Sequence, residues 1–226
     1  MKNVLYYPKT IVRLYLANYS SLMIPILIIS GLGLFFDLLS FSFPSIFSGP
    51  WITSIMLFAR FLILALFNIT LFRIVNNLVQ NKKTEFSNEL FAAKKNYKGY
   101  VVLSAMLFVI IFAGSLLFII PGIIFAVWYF ASTYLAATES IKPLNALDLS
   151  RKRVEGNFWP VLSRLIVSIL VIPLPIMVIL SILTSLGTQT ANVTSLLSIF
   201  SNFLFTLLFL PYLYMTIALI YEDLKK

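Results

Sequence analysis

Few side chains in this sequence are able to do chemistry, and Arg60 is the most unusual of them. It lies nine residues into an apolar stretch that begins at Trp51. A charge within a membrane span costs ~2.5–3.5 kcal/mol on insertion scales, so it needs a partner or a route to water. One interpretation is an anion-binding or gating residue. We favour the other, in which Arg60 extends toward the membrane surface and contacts Asp37 or a lipid phosphate.

The remaining charged candidates lie in one short region of the chain. Four side chains there are candidates for ion pairs or lipid contacts: Glu139, Arg151, Lys152 and Arg164. Glu139 is expected to pair with Arg164 or Arg151, although a solvated helix end is the simpler interpretation. The i,i+4 spacing predicts two further pairs on a helix surface, Asp148 with Lys152 and Arg151 with Glu155.

Several kinds of reactive group are missing from the sequence. It contains no His and no Cys, which removes imidazole acid–base chemistry, thiol catalysis and most transition-metal sites. It has no Gly-rich phosphate loop, no G-x-S-x-G motif and no H-E-x-x-H motif. No carboxylate lies in the middle of an apolar stretch, which weakens a proton-coupled carrier. We therefore expect no catalytic, cofactor-binding or metal-binding residues, and an enzyme is disfavoured.

The composition is that of an integral membrane protein. Hydrophobic residues make up 60% of the chain and charged residues 11%, against ~45–50% and ~25% in soluble domains. Because a span needs ~20 apolar residues, the uncharged stretches predict six transmembrane helices in an all-α polytopic bundle. We expect one membrane domain over residues 1–226, with its spans at about 16–36, 51–73, 100–119, 123–137, 161–186 and 196–221.

The basic residues are distributed very unevenly between the two sides of this bundle. Sixteen of the seventeen Lys and Arg residues fall in segments on the side that carries both termini, and Arg60 is the exception. The positive-inside rule therefore predicts a multi-pass protein of the cell membrane with cytoplasmic termini. The net charge of +9 is explained by this surface and indicates anionic lipid headgroups, not nucleic acid.

The segments on that side resemble one another. The sequence from Leu90 to Leu103 aligns with that from Leu147 to Pro160, since both have a basic pair, then a Gly and then aromatic residues. The segment from Val12 to Leu22 is a looser third copy. We expect amphipathic helices on the cytoplasmic face, before spans one, three and five, and three pseudo-repeated hairpins.

Prolines and glycines mark turns and breaks. Pro121-Gly122 predicts the turn between spans three and four. A small polar loop is expected over residues 187–194. Four prolines are expected to bend or break spans: Pro25, Pro173, Pro175 and Pro211. Broken helices also line transporter sites, which leaves open a small permease or channel with a path near Arg60.

The best-defined stretch resembles a known family. It runs PGIIFAVWYFASTYLAATES and then ALDLSRKRVEGNFWPVLSRL, between Pro121 and Leu165. The chain is similar there to the membrane domain fused to some glycerophosphodiester phosphodiesterases, and to its stand-alone six-span relatives. The positions that carry the resemblance are Pro121, Gly122, Ile123, Glu139, Ala146, Leu147, Ser150, Gly156, Asn157, Phe158 and Trp159. The C-terminal LPYLYMTIALIYEDLKK also resembles the family. The resemblance implies a six-helix membrane domain. It does not imply phosphodiesterase activity, which in the family belongs to a separate soluble domain.

Three functional hypotheses follow. The first is a non-catalytic scaffold, lipid-contacting protein or membrane-assembly factor whose partners are the bilayer, anionic headgroups and another membrane protein. The second is a small permease or channel near Arg60. A lipid-modifying enzyme is the least supported. A solid core with Arg60 facing lipid or Asp37 favours the first, and a solvent path to Arg60 favours the second.

Overall fold

A computed structural model describes residues 5–47, 49–186 and 191–225 of the chain. Within them the protein is a bundle of eleven helices: α1 (Tyr6–Ala17), α2 (Tyr19–Ser42), α3 (Pro44–Phe47), α4 (Pro50–Val79), α5 (Phe86–Leu117), α6 (Ile119–Trp128), α7 (Ser132–Thr138), α8 (Pro143–Val154), α9 (Phe158–Val171), α10 (Pro173–Leu186) and α11 (Ala191–Leu224). The predicted all-α class is confirmed. Much of the loop expected over residues 187–194, together with Lys2 and Lys226, lies outside the described residues.

Within the described residues, six long apolar segments correspond to the six predicted spans. They are α2, α4, α5, the α6–α7 pair, the α9–α10 pair and α11. The chain is therefore a multi-pass membrane protein. Most of the helices are longer than predicted, because helical hydrogen bonding continues past the apolar window into polar residues. The short α1 and α8 precede the first and fifth spans as separate helices, as expected.

The segment between spans two and three differs from the prediction. A separate amphipathic helix was expected there, but α5 runs without a break from Phe86 to Leu117. In the aligned region α8 and α9 are separated, and Gly156 has a φ of +81°. The reason is Pro160, in the first turn of α9. In a continuous helix its ring would clash with the carbonyl of Gly156, whereas the aligned Leu103 has no such restriction.

The turn between α5 and α6 comes earlier than predicted. Phe118 is extended, with φ −162° and ψ 153°, and α6 begins at Ile119, so Pro121 and Gly122 lie inside the first turns of that helix. The assignment of Pro121-Gly122 as the turn is wrong. Gly122 instead lets the two helices approach closely, since a Cβ there would overlap the Ser115 hydroxyl.

Prolines break only some of the spans. The fifth span is interrupted at Ile172, and Pro173 is the first residue of α10, a position where its missing N–H is not needed. Pro25 and Pro211 lie inside α2 and α11, which continue through them. The fourth span is interrupted at residues 129–131, where the sequence has no proline.

The tightly packed core occupies one half of the bundle. α11 packs against α1, α2 and α4, and α7 is enclosed by α4, α5 and α8. Most of the fully buried side chains come from α1, α7 and α8, from the start of α2, the middle of α5 and the ends of α4 and α11; examples are Leu22, Phe72, Leu103 and Met215. Side chains at the other end are exposed, as expected for groups in contact with lipid.

Candidate functional site

The basic segments of the sequence meet at the packed end of the bundle. We call this surface the basic face. It comprises α1, residues 80–98, residues 132–164 and residues 221–225. Tyr7 Oη donates a 2.6 Å hydrogen bond to Asp223 Oδ2, joining α1 to the end of α11. Arg153 Nη1 donates to the carbonyl of Leu224 at 3.4 Å, joining α8 to the same helix end. The one-sided placement inferred from the charges thus corresponds to a continuous surface.

The short helix α7 is held in the basic face by polar contacts. The carbonyl of Ala137, near its end, accepts hydrogen bonds from Asn96 Nδ2 at 2.7 Å and from Arg73 Nη1 at 3.4 Å. Arg73 Nε also donates to Glu89 Oε2 at 2.8 Å, and Asn77 Nδ2 donates to the other carboxylate oxygen at the same distance. These bonds satisfy a helix end that would otherwise leave buried carbonyls unpaired.

Ser150 supports the interruption of the fourth span. Its hydroxyl donates to the carbonyl of Trp128 at 2.9 Å and accepts from the N–H of Ala131 at 3.3 Å. Ser150 is fully buried. It therefore pairs one backbone group on each side of the break, which explains how the interruption is tolerated without a proline or glycine. This serine is one of the positions that carry the family resemblance.

The predicted partners of Glu139 are wrong. Glu139 Oε1 lies 3.6 Å from Lys225 Nζ, not beside Arg164 or Arg151. Arg164 is buried in α9, where Nη1 donates to the carbonyl of Pro160 at 2.6 Å. Its guanidinium lies 5.5 Å from the centre of the Tyr7 ring. The helical phase of α9 directs Arg164 toward α1, so it contributes to the core of the basic face.

Tyr7 is the buried contact point between α1 and the rest of the face. Only 1% of the residue is exposed. Burial and the adjacent Asp223 carboxylate raise the pKa of the Tyr7 hydroxyl to about 12, and the nearby Arg164 cation partly opposes the shift. The phenol therefore stays protonated at neutral pH and acts as a hydrogen-bond donor.

Of the two pairs predicted on α8, one is present. Lys152 Nζ lies 2.7 Å from Asp148 Oδ2, and both side chains are exposed, so solvent screens their attraction. Arg151 does not pair with Glu155, because α8 ends at Val154 and Glu155 has non-helical geometry. Its guanidinium lies 4.7 Å from the Trp128 ring centre instead.

Arg60 lies in the less tightly packed half of the bundle. Arg60 Nη1 is 2.6 Å from Asp37 Oδ1, which is the ion pair expected from the sequence. The side chains are 30% and 25% exposed. Gly33 provides the space, since a Cβ at that position would be 3.1 Å from Arg60 Nη2. The adjacent cavity is about 100 Å³, and every residue that lines it comes from α2 or α4.

Sequence reasoning missed the polar network on the C-terminal half of α4. Tyr134 Oη donates to Asn76 Oδ1 at 2.7 Å, so α7 is joined to α4 by a side-chain hydrogen bond as well. The available signal was the spacing of Arg73, Asn76 and Asn77, which places all three on one side of a helix. Within the described residues, no cluster of three acidic or other metal-ligating side chains is arranged to hold a metal ion.

Comparisons with protein-family models, with curated proteins and with solved structures found no match. The resemblance to the phosphodiesterase-associated membrane domain therefore stays an expectation from the sequence.

Proposed function

We propose that this protein is a non-catalytic membrane scaffold whose basic face lies on the cytoplasmic surface of the cell membrane and contacts anionic lipid headgroups. The single observation that carries this proposal is the arrangement of exposed residues on the basic face. Cationic side chains lie there beside exposed apolar side chains, the combination found in helices at a membrane interface.

Helix α1 has this arrangement in its simplest form. One side packs into the core through Tyr7 and Ile11. The exposed side carries Leu16, which is 68% exposed, together with the cations Lys9 and Arg13, and Leu5 just before the helix is 67% exposed. Apolar side chains at this depth can enter the acyl boundary while the cations reach phosphates. α1 is therefore suited to lie along the headgroup layer.

Two further parts of the basic face repeat this combination. Phe91 is 69% exposed at the start of α5, where Lys94 and Lys95 are also exposed. Trp159 is 74% exposed at the start of α9, close in sequence to the exposed Arg151. Each cation near an anionic membrane surface contributes ~1 kcal/mol of attraction. Several together favour anionic lipid strongly.

Orientation and family are part of the same proposal. The positive-inside rule supports cytoplasmic termini, and the resemblance supports a six-helix membrane domain. A reporter fused after Lys226 is expected to be active only on the cytoplasmic side. Activity only on the outside would contradict the orientation.

The permease alternative has less support. Arg60 is neutralised by Asp37, and the cavity beside the pair is lined by α2 and α4 alone. A path between repeats would need residues from other spans. The backbone at the interruption of residues 129–131 is hydrogen-bonded by the buried Ser150 hydroxyl, and the interruption at Ile172 is followed directly by α10. A scaffold explains the neutralised Arg60 and the hydrogen-bonded interruption more directly than a permease does.

The proposal is tested by measuring lipid selectivity in proteoliposomes. Spin-labelled phosphatidylglycerol and phosphatidylcholine report the relative association of anionic and zwitterionic lipid with the protein. The test variant replaces Lys9, Arg13, Lys94 and Lys95 by Gln, and the matched control exchanges Lys for Arg and Arg for Lys at the same positions. We expect the anionic preference to fall toward one in the Gln variant and to persist in the control.

Salt provides a second check on the same measurement. The preference of the unmodified protein should weaken as ionic strength rises, since exposed charges are screened beyond ~10 Å at 0.1 M salt. A preference that survives the Gln substitutions, or that falls equally in the charge-preserving control, would contradict an electrostatic function of the basic face.

A further inference from the structure

The basic face contains a cleft that is lined by two carboxylates. It has a volume of about 290 Å³ and lies between α1 and the end of α11, and Glu222 and Asp223 line it together with Tyr7 and Thr10. We call it the acidic cleft. Asp223 is engaged by the Tyr7 hydroxyl. Glu222 is partly buried and forms no ion pair within the described part of the chain. A partly buried carboxylate without an ion-pair partner is stabilised by a cation, so this position favours a cationic group of a ligand.

A second cleft adjoins the first. It has a volume of about 470 Å³ and is lined by Lys82 and Lys83, with the polar side chains of Asn18, Ser21 and Thr84. Glu85 also lines it, and its carboxylate accepts a hydrogen bond from Asn88 Nδ2 at 2.9 Å, so the two lysines leave the cleft with a net positive charge. We call it the basic cleft. Neither lysine is in an ion pair within the described residues. Ammonium, amide and hydroxyl donors of this kind suit a phosphate group.

Asn81 lines both clefts. It follows the end of α4 and has a φ of +56°, so the chain turns sharply between the two cavities. A ligand that fills both must carry an anionic group and a cationic group joined by a short link. Phosphate linked to an amine has this chemistry.

The location of the clefts favours a lipid as the source of that group. Leu14, Val79 and Leu219 form the apolar wall of the acidic cleft. They belong to the interfacial helix α1 and to the ends of two spans, where a bilayer places its headgroups and the first part of its acyl chains. A soluble metabolite has no acyl chain to contact this apolar wall.

The polar groups of the acidic cleft further distinguish between amines. The carboxylate of Glu222 and the oxygens of Thr10 and Asn81 are hydrogen-bond acceptors. A primary ammonium has three N–H groups to donate to them, whereas a quaternary ammonium has none. The rings of Tyr6 and Tyr7 also line the cleft and attract either ammonium group, so the discrimination comes from the acceptors, which favour ethanolamine over choline.

We propose that the paired acidic and basic clefts bind the headgroup of a phosphatidylethanolamine lipid, with its ammonium at Glu222 and its phosphate at Lys82 and Lys83. This rests on the proposed function in one respect, that the basic face lies at headgroup depth. The cleft proposal differs from the proposed function in its ligand and in its residues, because the preference for anionic lipid is assigned to cations other than Lys82 and Lys83.

The test is native mass spectrometry of the full chain in detergent micelles with equal amounts of phosphatidylethanolamine, phosphatidylcholine or phosphatidylglycerol. We expect an ethanolamine preference over choline of about tenfold, the effect of one charge-assisted hydrogen-bonding site. Glu222→Gln should bring this ratio close to one. The matched control Glu155→Gln removes an exposed carboxylate just after the end of α8 and should leave the ratio unchanged.

Replacing Lys82 and Lys83 by Gln should weaken ethanolamine and choline lipids together and preserve their ratio. Thermal unfolding of each variant in the same micelles shows whether it is folded. A ratio near one in the unmodified protein would overturn the proposal, and so would a ratio insensitive to Glu222→Gln. Displacement of the lipid by equimolar soluble phosphoethanolamine would overturn the assignment to a lipid.

The two proposals fail in different ways. Loss of the ethanolamine preference with an intact phosphatidylglycerol preference rejects only the cleft assignment. If the unmodified protein shows no preference for phosphatidylglycerol, the proposed function is rejected. The Glu222→Gln comparison still tests the clefts in that case.

Discussion

A double-mutant cycle on Arg60 and Asp37 tests whether this pair joins two spans or serves a transport path. The single variants are Arg60→Met and Asp37→Leu, and the third variant carries both changes. Each single change leaves one charge without its partner at a site in the membrane. The double change removes both charges and leaves two apolar side chains between α2 and α4.

The size of the effect follows from the burial of the pair. Removing one partner of a fully buried ion pair costs ~3–5 kcal/mol. These side chains are 30% and 25% exposed, so screening reduces the loss, and we expect ~2 kcal/mol for each single variant. The double variant also escapes the ~2.5–3.5 kcal/mol cost of placing a charge in a span. It should therefore unfold no more easily than the unmodified protein.

The assay is reversible unfolding in mixed micelles with increasing SDS, followed by far-ultraviolet circular dichroism. The double variant should be at least ~2 kcal/mol more stable than the sum of the single effects indicates. A parallel cycle on Asp148 and Lys152, an exposed pair of similar length, should show no measurable coupling. Additive effects at Arg60 and Asp37 would refute the structural interpretation of the pair.

Three further perturbations test the packing of the helices. Gly122→Ala places a methyl group against Ser115 and should lower the unfolding free energy by ~1–3 kcal/mol; Gly31→Ala, with nothing within 4 Å, is the control and should not destabilise. Ser150→Ala removes two buried hydrogen bonds across the break in the fourth span and should cost ~1–3 kcal/mol in the same SDS titration; wild-type stability would contradict its support of the break. Because the pKa of Tyr7 is raised to about 12, its stabilising contribution is complete below pH ~10 and is lost as the pH rises through about 12. Unfolding at a series of pH values should show this loss, and Tyr7→Phe should remove it; an ultraviolet difference spectrum between the two proteins that titrates near pH 10 would contradict the shift.

The number of spans and the shared face of the basic segments could be predicted because both depend on transfer free energies. A helix without charges is stable in hydrocarbon, and Lys or Arg is not, so the linear sequence indicates which segments cross and which stay at the surface. The pair between Arg60 and Asp37 followed from the same reasoning. One cation and one carboxylate are far from all other charges in the sequence, and each lowers the cost of burying the other.

The partners within the basic face could not be predicted in this way. Many charges share that surface, and which of them meet depends on the phase of each helix and on how the helices pack. Arg164 is directed to Tyr7 on α1, and Glu139 meets Lys225 instead. Buried hydroxyl groups are harder still to assign, because Ser150 differs from other serines only by what lies opposite it in space.

Breaks and turns were predicted well only where a single residue dictates them. Pro173 begins a helix because proline lacks the N–H that a helix interior requires. Phe118 has no such local signal. It is extended because Gly114 and Gly122 let α5 and α6 approach closely. The position of the turn therefore depends on how the two helices pack, not on the residue at the turn.

The uneven packing of the bundle gives the ion pair of Arg60 its physical meaning. The core, the polar network of α7 and nearly all of the charge lie at the basic face, so the free energy of folding is concentrated there. At the opposite end α4 exposes large side chains, such as Trp51 at 81% and Phe58 at 61%, and apolar packing between spans is sparse. Lipid tails are as apolar as leucine, so apolar contacts alone do not hold helices together in a membrane. An ion pair between two helices does hold them together, because each charge finds its partner only on the other helix. We infer that Arg60 and Asp37 keep α2 and α4 together where the core does not reach.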